Sequence, residues 1–321
     1  MSENYRNSGM MWAYLIHLSY NMWGDWDEKN PSKRYYQENI TDDDTWNKVI
    51  DFLPSQGFNT VVIDVGDAIQ YERHPEITIK GAWSKDRLKK ELNHMRAIGL
   101  TPIPKLNFSA THDAWLGVYS RMLSSPTYYQ VCKDVIEEVA EVFDYPKYFH
   151  LGMDEEKAAN QGAFSFVCVR SNELLWHDMF YLFDVCEKVG CRPWIWSDLC
   201  WSDKVRGDFL SRMPKSVLQS NWHYLPISKG KDGRYSEKEI DTYRILEEAG
   251  FEQVPTCSTK HWYDLSAQDT MEAIKEMVAP ERLKGYMTVP WNPTTEENQY
   301  SLLHDAMRFG LAKKNVYPED C

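Results

Sequence analysis

The sequence predicts an α/β protein with a single (β/α)8 barrel, on the basis of three observations. Runs of apolar, β-branched or aromatic residues recur eight times along the 321 residues. A polar loop and then a helical pattern follow each run, as is typical of βαβ units with a parallel sheet. No Gly-x-Gly-x-x-Gly follows any run, which disfavours the alternative, a doubly wound nucleotide-binding sheet. Eight such units favour a closed barrel that occupies residues 1–321 as one domain.

The predicted strands are separated by amphipathic helical segments. In residues 84–99, for example, Leu88, Leu92 and Met95 form one apolar stripe and Gly99 ends the helical pattern. The polar stretch 226–239 is predicted to be a long loop between a strand and a helix. In chain order, the predicted strands are 10–19, 59–67, 100–109, 148–152, 192–198, 216–224, 252–264 and 285–293.

Composition and charge exclude several classes of partner. The net charge of −12 makes nucleic acid and anionic membrane surfaces unfavourable partners, because such binding requires patches of Lys and Arg. No apolar run approaches the roughly 20 residues of a membrane span. The polar start "MSENYRNSG" lacks the pattern of an export leader, so we expect a cytoplasmic protein, or an exported one whose leader has been removed.

The cysteine and histidine spacings indicate neither a metal site nor a disulfide framework. The seven cysteines are an odd number, and Cys186, Cys191 and Cys200 lack any Cys-x-x-Cys or His-x-His companion. A metal-dependent hydrolase is disfavoured for the same reason, since no His-Glu-x-x-His is present. We therefore expect no metal and no cofactor.

Aromatic and acidic residues gather at the carboxyl ends of the predicted strands, where barrel enzymes place their active sites. Indole faces match the apolar faces of pyranose rings, and carboxylates accept hydrogen bonds from sugar hydroxyls. A sugar site is therefore favoured over the alternative, in which tryptophans simply fill the barrel. The strand-end residues are Trp23, Trp26, Asp67, His112, Trp115, Asp154, Glu155, Trp196, Asp198, Trp201, Asn221, Trp222, Trp262, Tyr263, Asp264, Trp291 and Asn292.

The stretch "YFHLGMDEE" ends a predicted strand with three consecutive carboxylates. Alternation along the strand places Asp154 inside the barrel with His150, Glu155 at its opening, and Glu156 outward. Two adjacent buried carboxyls are expected to have a raised pKa, which suits a general acid. Two simpler readings are open: Asp154 caps a helix whose first turn contains the two glutamates, and His150 is a core histidine.

Residues 150–155, "HLGMDE", resemble the His-x-Gly-Gly-Asp-Glu signature of glycoside hydrolase family 20, the β-N-acetylhexosaminidases. "NTVVIDVGDAIQYERHPEIT" is similar to the second strand of that family, and "GLTPIPKLNFSATH" to the third through Pro104 and His112. "WIWSD", "HWYDL" and "YMTVPWN" resemble the fifth, seventh and eighth strands. The resemblance covers nearly the whole chain, and the Asp-Glu pair is its specific part.

The resemblance implies substrate-assisted retention, an exception to the two-carboxylate rule for retaining glycosidases. It assigns to Glu155 the protonation of the glycosidic oxygen and the later activation of water. The 2-acetamido oxygen of the substrate is the nucleophile, Asp154 orients and stabilises that amide, and Tyr263 hydrogen-bonds its oxygen. The implied walls of the sugar pocket are Trp196, Trp222 and Trp291.

Three departures from the family pattern affect hydroxyl recognition rather than the acid. The end of the first strand, "AYLIHLSYNMW", has no Arg, Lys105 replaces a family Glu, and "WNP" replaces Trp-x-Glu, which leaves Glu296 as a displaced substitute. The sequence therefore predicts a retaining exo-glycosidase for terminal β-linked N-acetylhexosamine. The alternatives are a glycan-binding barrel without activity and a glycosidase whose nucleophile is Asp264 or Glu296. The predicted catalytic residues are Asp154 and Glu155, and the predicted substrate-binding residues are Asp67, His112, His150, Trp196, Asn221, Trp222, Trp262, Tyr263 and Trp291.

Overall fold

The structure, a computed structural model, describes residues 9–24, 33–162, 164–228, 237–261 and 263–320. The described residues contain eight strands, and each lies inside its predicted range. The observed strands are shorter than the predicted ranges. They are β1 Met11–His17, β2 Thr60–Asp64, β3 Thr101–Lys105, β4 Tyr148–His150, β5 Arg192–Trp196, β6 Leu218–Ser220, β7 Thr256–Cys257 and β8 Gly285–Thr288.

The strands form one parallel sheet in the order β6-β5-β4-β3-β2-β1-β8-β7. The two ends of this sheet meet, because the Gln219 amide donates to the Glu252 carbonyl (3.1 Å) and the Val254 amide donates to the Gln219 carbonyl (2.8 Å). Parallel bridges between Gln219 and Gln253 and between Trp222 and Thr256 continue the pairing. The sheet is therefore closed, and the predicted (β/α)8 barrel is confirmed.

Eight α-helices surround the barrel, one after each strand. The starts of α1, α2 and α3 are capped by Asp42, Ser84 and Ser125, whose side chains accept a hydrogen bond from a main-chain amide of the first turn. No helix in the described ranges is long and apolar enough to cross a membrane. The helices are α1 Asp43–Phe52, α2 Lys85–Ala97, α3 Pro126–Val142, α4 Asn172–Lys188, α5 Arg206–Arg212, α6 Lys238–Glu248, α7 Ser266–Met277 and α8 Gln299–Val316.

Alternation along the strands divides the core into two parts. In β1, Trp12, Tyr14 and Ile16 pack with the helices, while Ala13 and Leu15 point into the barrel. The interior is filled with large and branched side chains, so it is a packed core and not a pore. Other interior residues include Val62, Ile103, Trp194, Leu218, Val254 and Met287.

A buried polar layer lies at the next interior position of the first four strands, toward their carboxyl ends. It consists of His17, Asp64, Lys105 and His150, all of which are buried. Lys105 forms an ion pair with Asp64, and His17 Nδ1 lies 3.5 Å from the same carboxylate. Burial lowers the pKa of His17 and, more strongly, that of His150. This layer separates the apolar interior from the mouth of the barrel.

Candidate active site

The three carboxylates lie on an irregular loop directly after β4. The main chain has positive φ at Gly152 (70°), Met153 (72°) and Glu155 (55°), so the alternation of the strand does not continue into this loop. A Cβ at Gly152 would overlap the side chain of Asn107. The next helical residues form a short 3-10 helix, Ala158–Gln161. The alternative in which Asp154 caps a helix is therefore wrong.

Asp154 and Glu155 converge on one imidazole. His112 Nε2 lies 3.4 Å from Asp154 Oδ2 and 3.2 Å from Glu155 Oε2. Asn107 Nδ2 donates to the other Asp154 oxygen at 2.7 Å. Asp154 is buried, whereas the Glu155 side chain is 38% exposed. One carboxylate is thus fixed on both oxygens, while the other is open to a ligand.

His112 and Glu155 shift each other's pKa. Burial lowers its pKa, but the charges of Asp154 and Glu155 outweigh burial, so the pKa of His112 is raised above its ordinary value. The hydrogen bond from His112 in turn lowers the pKa of Glu155, and this effect exceeds the opposing effect of burial. The predicted raised pKa is therefore wrong for Glu155, because the prediction considered the neighbouring carboxylate but not the imidazole.

Asp198 is a third carboxylate in the same cluster and was not among the predicted site residues. Its Oδ2 accepts a hydrogen bond from the Glu155 amide at 2.9 Å. Its Oδ1 is buried and has no hydrogen-bond partner among the described residues. Burial, followed by the charge of Asp154, raises the pKa of Asp198 to about 7. The available signal was its position two residues beyond Trp196 at the end of β5.

Glu156 holds the loop in place instead of facing outward, so that prediction is wrong. Its carboxylate is buried and accepts hydrogen bonds from Arg170 Nε (3.0 Å) and from the Ala110 amide (2.7 Å). Arg170 also contacts Asp178 on α4 at 3.2 Å. This buried ion pair connects the loop after β4 to the neighbouring loop and helix.

Aromatic side chains form the wall beside the carboxylates. The rings of Trp196 and Trp291 lie 6.0 Å apart, and Trp291 Nε1 donates to the Tyr224 hydroxyl at 3.0 Å. Tyr224 stacks on Trp222. Burial raises the pKa of Tyr224, and the charges of Asp154 and Glu155 raise it further. Tyr224, which the sequence pattern did not single out, is therefore part of this aromatic wall.

Two predicted substrate-binding residues are engaged by protein groups. Asp67 accepts hydrogen bonds from Ser19 (2.7 Å), Asn21 (2.8 Å) and Tyr35 (3.0 Å), and burial raises its pKa to about 6. Asn221 accepts from Trp201 Nε1 at 2.7 Å and donates to the carbonyl of residue 239 at 2.6 Å. Both side chains stabilise the rim of the barrel.

The remaining predicted residues differ in their surroundings. The Tyr263 hydroxyl donates to Asp269 at 2.5 Å. His150 is buried next to Trp196, and its Nδ1 accepts from the Gly152 amide at 3.1 Å. Trp262, together with the strand-end Trp26, lies outside the described residues.

Two cavities lie at opposite ends of the barrel. The larger, about 660 Å³, is at the amino ends of the strands and is lined by residues such as Asn59, Thr101 and Lys147. The smaller, about 250 Å³, lies at the carboxyl end, where barrel enzymes place their active sites, and its lining includes Trp23, Asp264 and Trp291. His112, Asp154 and Glu155 are not among its lining residues. The ligand atoms of His112, Asp154 and Glu155 lie within 4.8 Å of one another, which is compatible with holding a cation.

Comparison with known proteins finds its matches among solved structures. No protein-family model matches the sequence, and the search of curated proteins found no significant match. The chain is similar to the β-N-acetylhexosaminidase of Streptomyces coelicolor A3(2), with a TM-score of 0.59, 11% identity and 93% of this chain covered. It is also similar to the chitobiase of Flavobacterium johnsoniae, with a TM-score of 0.63, 15% identity and 87% covered.

A third similar structure is a family 20 catalytic module of a pneumococcal exo-β-D-N-acetylglucosaminidase, with a TM-score of 0.60, 14% identity and 96% of this chain covered. The chain spans 63% of the Streptomyces protein, 48% of the Flavobacterium protein and 85% of the pneumococcal chain. At these identities the likeness concerns the fold. The chain thus has the fold of the family 20 catalytic barrels, as the resemblance of its motifs predicted.

Proposed function

We propose that the chain is a retaining exo-glycosidase that hydrolyses terminal β-linked N-acetylhexosamine by substrate-assisted catalysis. The observation that carries the proposal is the convergence of Asp154 and Glu155 on His112 at the mouth of the barrel. Trp222 and Trp291, which are partly exposed beside the buried Trp196, offer apolar faces for a sugar ring. The similar structures, which are described as β-N-acetylhexosaminidases and a chitobiase, support the same reaction and substrate class.

Glu155 is the general acid in this proposal, because its side chain is the exposed member of the pair. In the free protein the hydrogen bond from His112 lowers the pKa of Glu155. A bound sugar excludes water from the carboxyl and thereby raises the pKa toward that of a working acid. Glu155 then gives its proton to the glycosidic oxygen as the bond to the anomeric carbon breaks, and later takes a proton from the attacking water.

Asp154 is the partner of the acetamido group. As the acetamido oxygen bonds to the anomeric carbon, the amide gains positive charge and its N–H becomes more acidic. A carboxylate fixed by Asn107 and His112 is suited to receive that N–H and to stabilise the charge without reorganising.

A tyrosine that holds the acetamido oxygen completes the proposed mechanism. Tyr224 accepts a hydrogen bond from Trp291, so its own O–H proton is available to a ligand. Tyr263, which the resemblance assigns to this role, would first have to leave Asp269. We therefore place Tyr224 beside Tyr263 as a candidate donor to the acetamido oxygen.

The two alternatives can be weighed against specific contacts. The lowered pKa of Glu155 and the Lys105–Asp64 pair, which stands where the family has a Glu, favour a glycan-binding barrel without activity. For the enzymic nucleophile, Asp264 lines the carboxyl-end cavity but is bound by His304 at 2.9 Å.

The test compares chromogenic β-N-acetylglucosaminide, β-N-acetylgalactosaminide and β-glucoside. Release from either N-acetyl substrate but not from the glucoside is expected. A thiazoline mimic of the cyclic intermediate should inhibit much more strongly than the substrate binds, as transition-state-like ligands do. If N-acetylglucosamine binds but no chromogen is released from any of the three glycosides, the result would support the glycan-binding alternative. A covalent adduct on Asp264 or Glu296 from a 2-fluoro glycoside, with no thiazoline inhibition, would establish the enzymic nucleophile.

A further inference from the structure

His223 is a buried histidine with an unused nitrogen. It lies just after β6, its side chain is 6% exposed, and its Nε2 has no hydrogen-bond partner among the described residues. A neutral imidazole carries one proton, so with that proton on Nδ1 the unpartnered Nε2 presents a lone pair to a ligand.

Two carboxylates face this lone pair. Glu237 immediately precedes α6 and Glu239 lies in its first turn. The ligand atoms of the three residues all lie within 4.8 Å of one another, and Glu237 Oε2 is 3.8 Å from His223 Nε2. That separation is too long for a hydrogen bond. Two ligands of a tetrahedral zinc ion, each about 2.1 Å from the metal, lie about 3.4 Å apart, so a small movement would suffice.

The start of α6 is held against the barrel independently of these side chains. Asn221 Nδ2 donates to the Glu239 carbonyl at 2.6 Å, which fixes the first turn next to the end of β6. Lys238 lies between the two glutamates in the sequence, but it forms its ion pair with Asp203. Glu237 is exposed, which leaves the cluster open to solvent.

We propose that His223, Glu237 and Glu239 form a binding site for a divalent transition-metal cation, with Zn²⁺ as the preferred ion. One imidazole and two carboxylates suit zinc, manganese or cobalt better than calcium or magnesium, which take all-oxygen ligand sets. The cation would join the end of β6 to the start of α6, beside Trp222 and Tyr224 in the pocket wall.

A second cluster, His112 with Asp154 and Glu155, has comparable spacing but different chemistry. Its Nε2 already shares a hydrogen bond with Glu155, and its carboxylates raise the pKa of the ring. A proton on that nitrogen competes with a metal ion. His223 Nε2, by contrast, has no hydrogen-bond partner among the described residues. The His223 cluster should therefore bind the ion more tightly.

The test is calorimetric titration of the full chain with zinc chloride after removal of metals by a chelator. One equivalent of Zn²⁺ is expected to bind, and saturation at about 100 times the dissociation constant should raise Tm by about 4 °C. His223→Asn, Glu237→Gln and Glu239→Gln should each weaken binding by roughly tenfold or more. Glu237→Gln alters an exposed side chain, so it keeps the test decisive if His223→Asn does not fold.

Two control variants separate this site from others. His94→Asn alters an exposed histidine on α2 that hydrogen-bonds to Asp51 on α1. His112→Asn alters the second cluster. Both variants should still bind one equivalent of Zn²⁺. Absence of zinc binding by the wild-type chain, or binding that only His112→Asn weakens, would overturn the proposal. The result is independent of glycosidase activity, because none of the three proposed ligands takes part in the proposed reaction.

Discussion

At the scale of the residue, His112 is the feature that gives Asp154 and Glu155 different properties. Both carboxylates contact its Nε2, but only Asp154 is buried and also bound by Asn107. The side chain of Asp154 is therefore fixed in position, whereas the surroundings of Glu155 can change when a ligand binds. Such a division between two neighbouring carboxylates is what acid catalysis next to a charged partner requires.

Replacing Glu155 with Gln tests the role of the acid. The amide occupies nearly the same space but has no proton of suitable acidity to transfer. We expect kcat on an unactivated N-acetylhexosaminide to fall by roughly 10²–10⁴-fold. Binding of a thiazoline, measured by calorimetry, should persist. The control is Glu297→Gln, which alters an exposed side chain in the short 3-10 helix after β8. Unchanged turnover in Glu155→Gln would exclude this residue as the acid.

Replacing Asp198 with Asn tests the buried third carboxylate. The pKa of Asp198 is about 7 in the folded state, against 3.8 ordinarily, so the unfolded chain loses this proton first as the pH rises. The contribution of Asp198 to the free energy of unfolding is therefore complete below about pH 4. It declines as the pH rises to about 7. The advantage of Asp198→Asn over wild type in the free energy of unfolding should grow across that window, to a few kcal/mol at most. A constant difference from pH 4 to pH 8 would contradict the assignment.

At the scale of the element, the loop after β4 is defined by tertiary contacts instead of regular hydrogen bonding. Glu156 and Arg170 form a buried ion pair at its far side, and Gly152 packs against Asn107 at its near side. Asn107 in turn holds Asp154. The position of the proposed catalytic pair therefore depends on the fit between the loops after β3 and β4.

The substitution Gly152→Ala tests this fit. A methyl group would overlap Asn107, and the φ of 70° is unfavourable for alanine. We expect a loss of roughly 2–3 kcal/mol in the free energy of unfolding, with reduced activity because Asn107 is displaced from Asp154. Gly207→Ala is the matched control: it lies in α5 with open space around it and should be neutral or stabilising by up to about 1 kcal/mol. Equal effects of the two substitutions would refute the argument.

At the scale of the whole molecule, closure of the sheet makes every strand a neighbour of two others. The β6–β7 contacts close the barrel, and the interior core draws residues from all parts of the described chain. Opening any one strand would remove side chains from this shared interior. The organisation as one domain stays a prediction, and it is open to a direct test.

Urea unfolding should therefore show one cooperative transition. Tryptophan fluorescence and far-ultraviolet circular dichroism are expected to give the same midpoint, because the thirteen tryptophans and the helices lose their structure together. Two separated transitions would show that the chain divides into independent units.

The sequence by itself determined the architecture and the position of the carboxylates along the chain. Alternation with period two and helical stripes are local patterns, and they located all eight strands and the barrel class. The motif at residues 150–155 also placed Asp154 and Glu155 immediately beyond a strand end, where barrel sites form.

Only the tertiary structure decided how those residues are charged and held. The contact that lowers the pKa of Glu155 comes from His112, 43 positions earlier, and Glu156 is buried because Arg170 reaches it from a later loop. Tyr224 belongs to the aromatic wall because of its contacts with Trp291 and Trp222, whereas Tyr263 is bound to Asp269. Local patterns contain no information about such pairs, since pKa values and burial depend on distances between segments that only the closed barrel brings together.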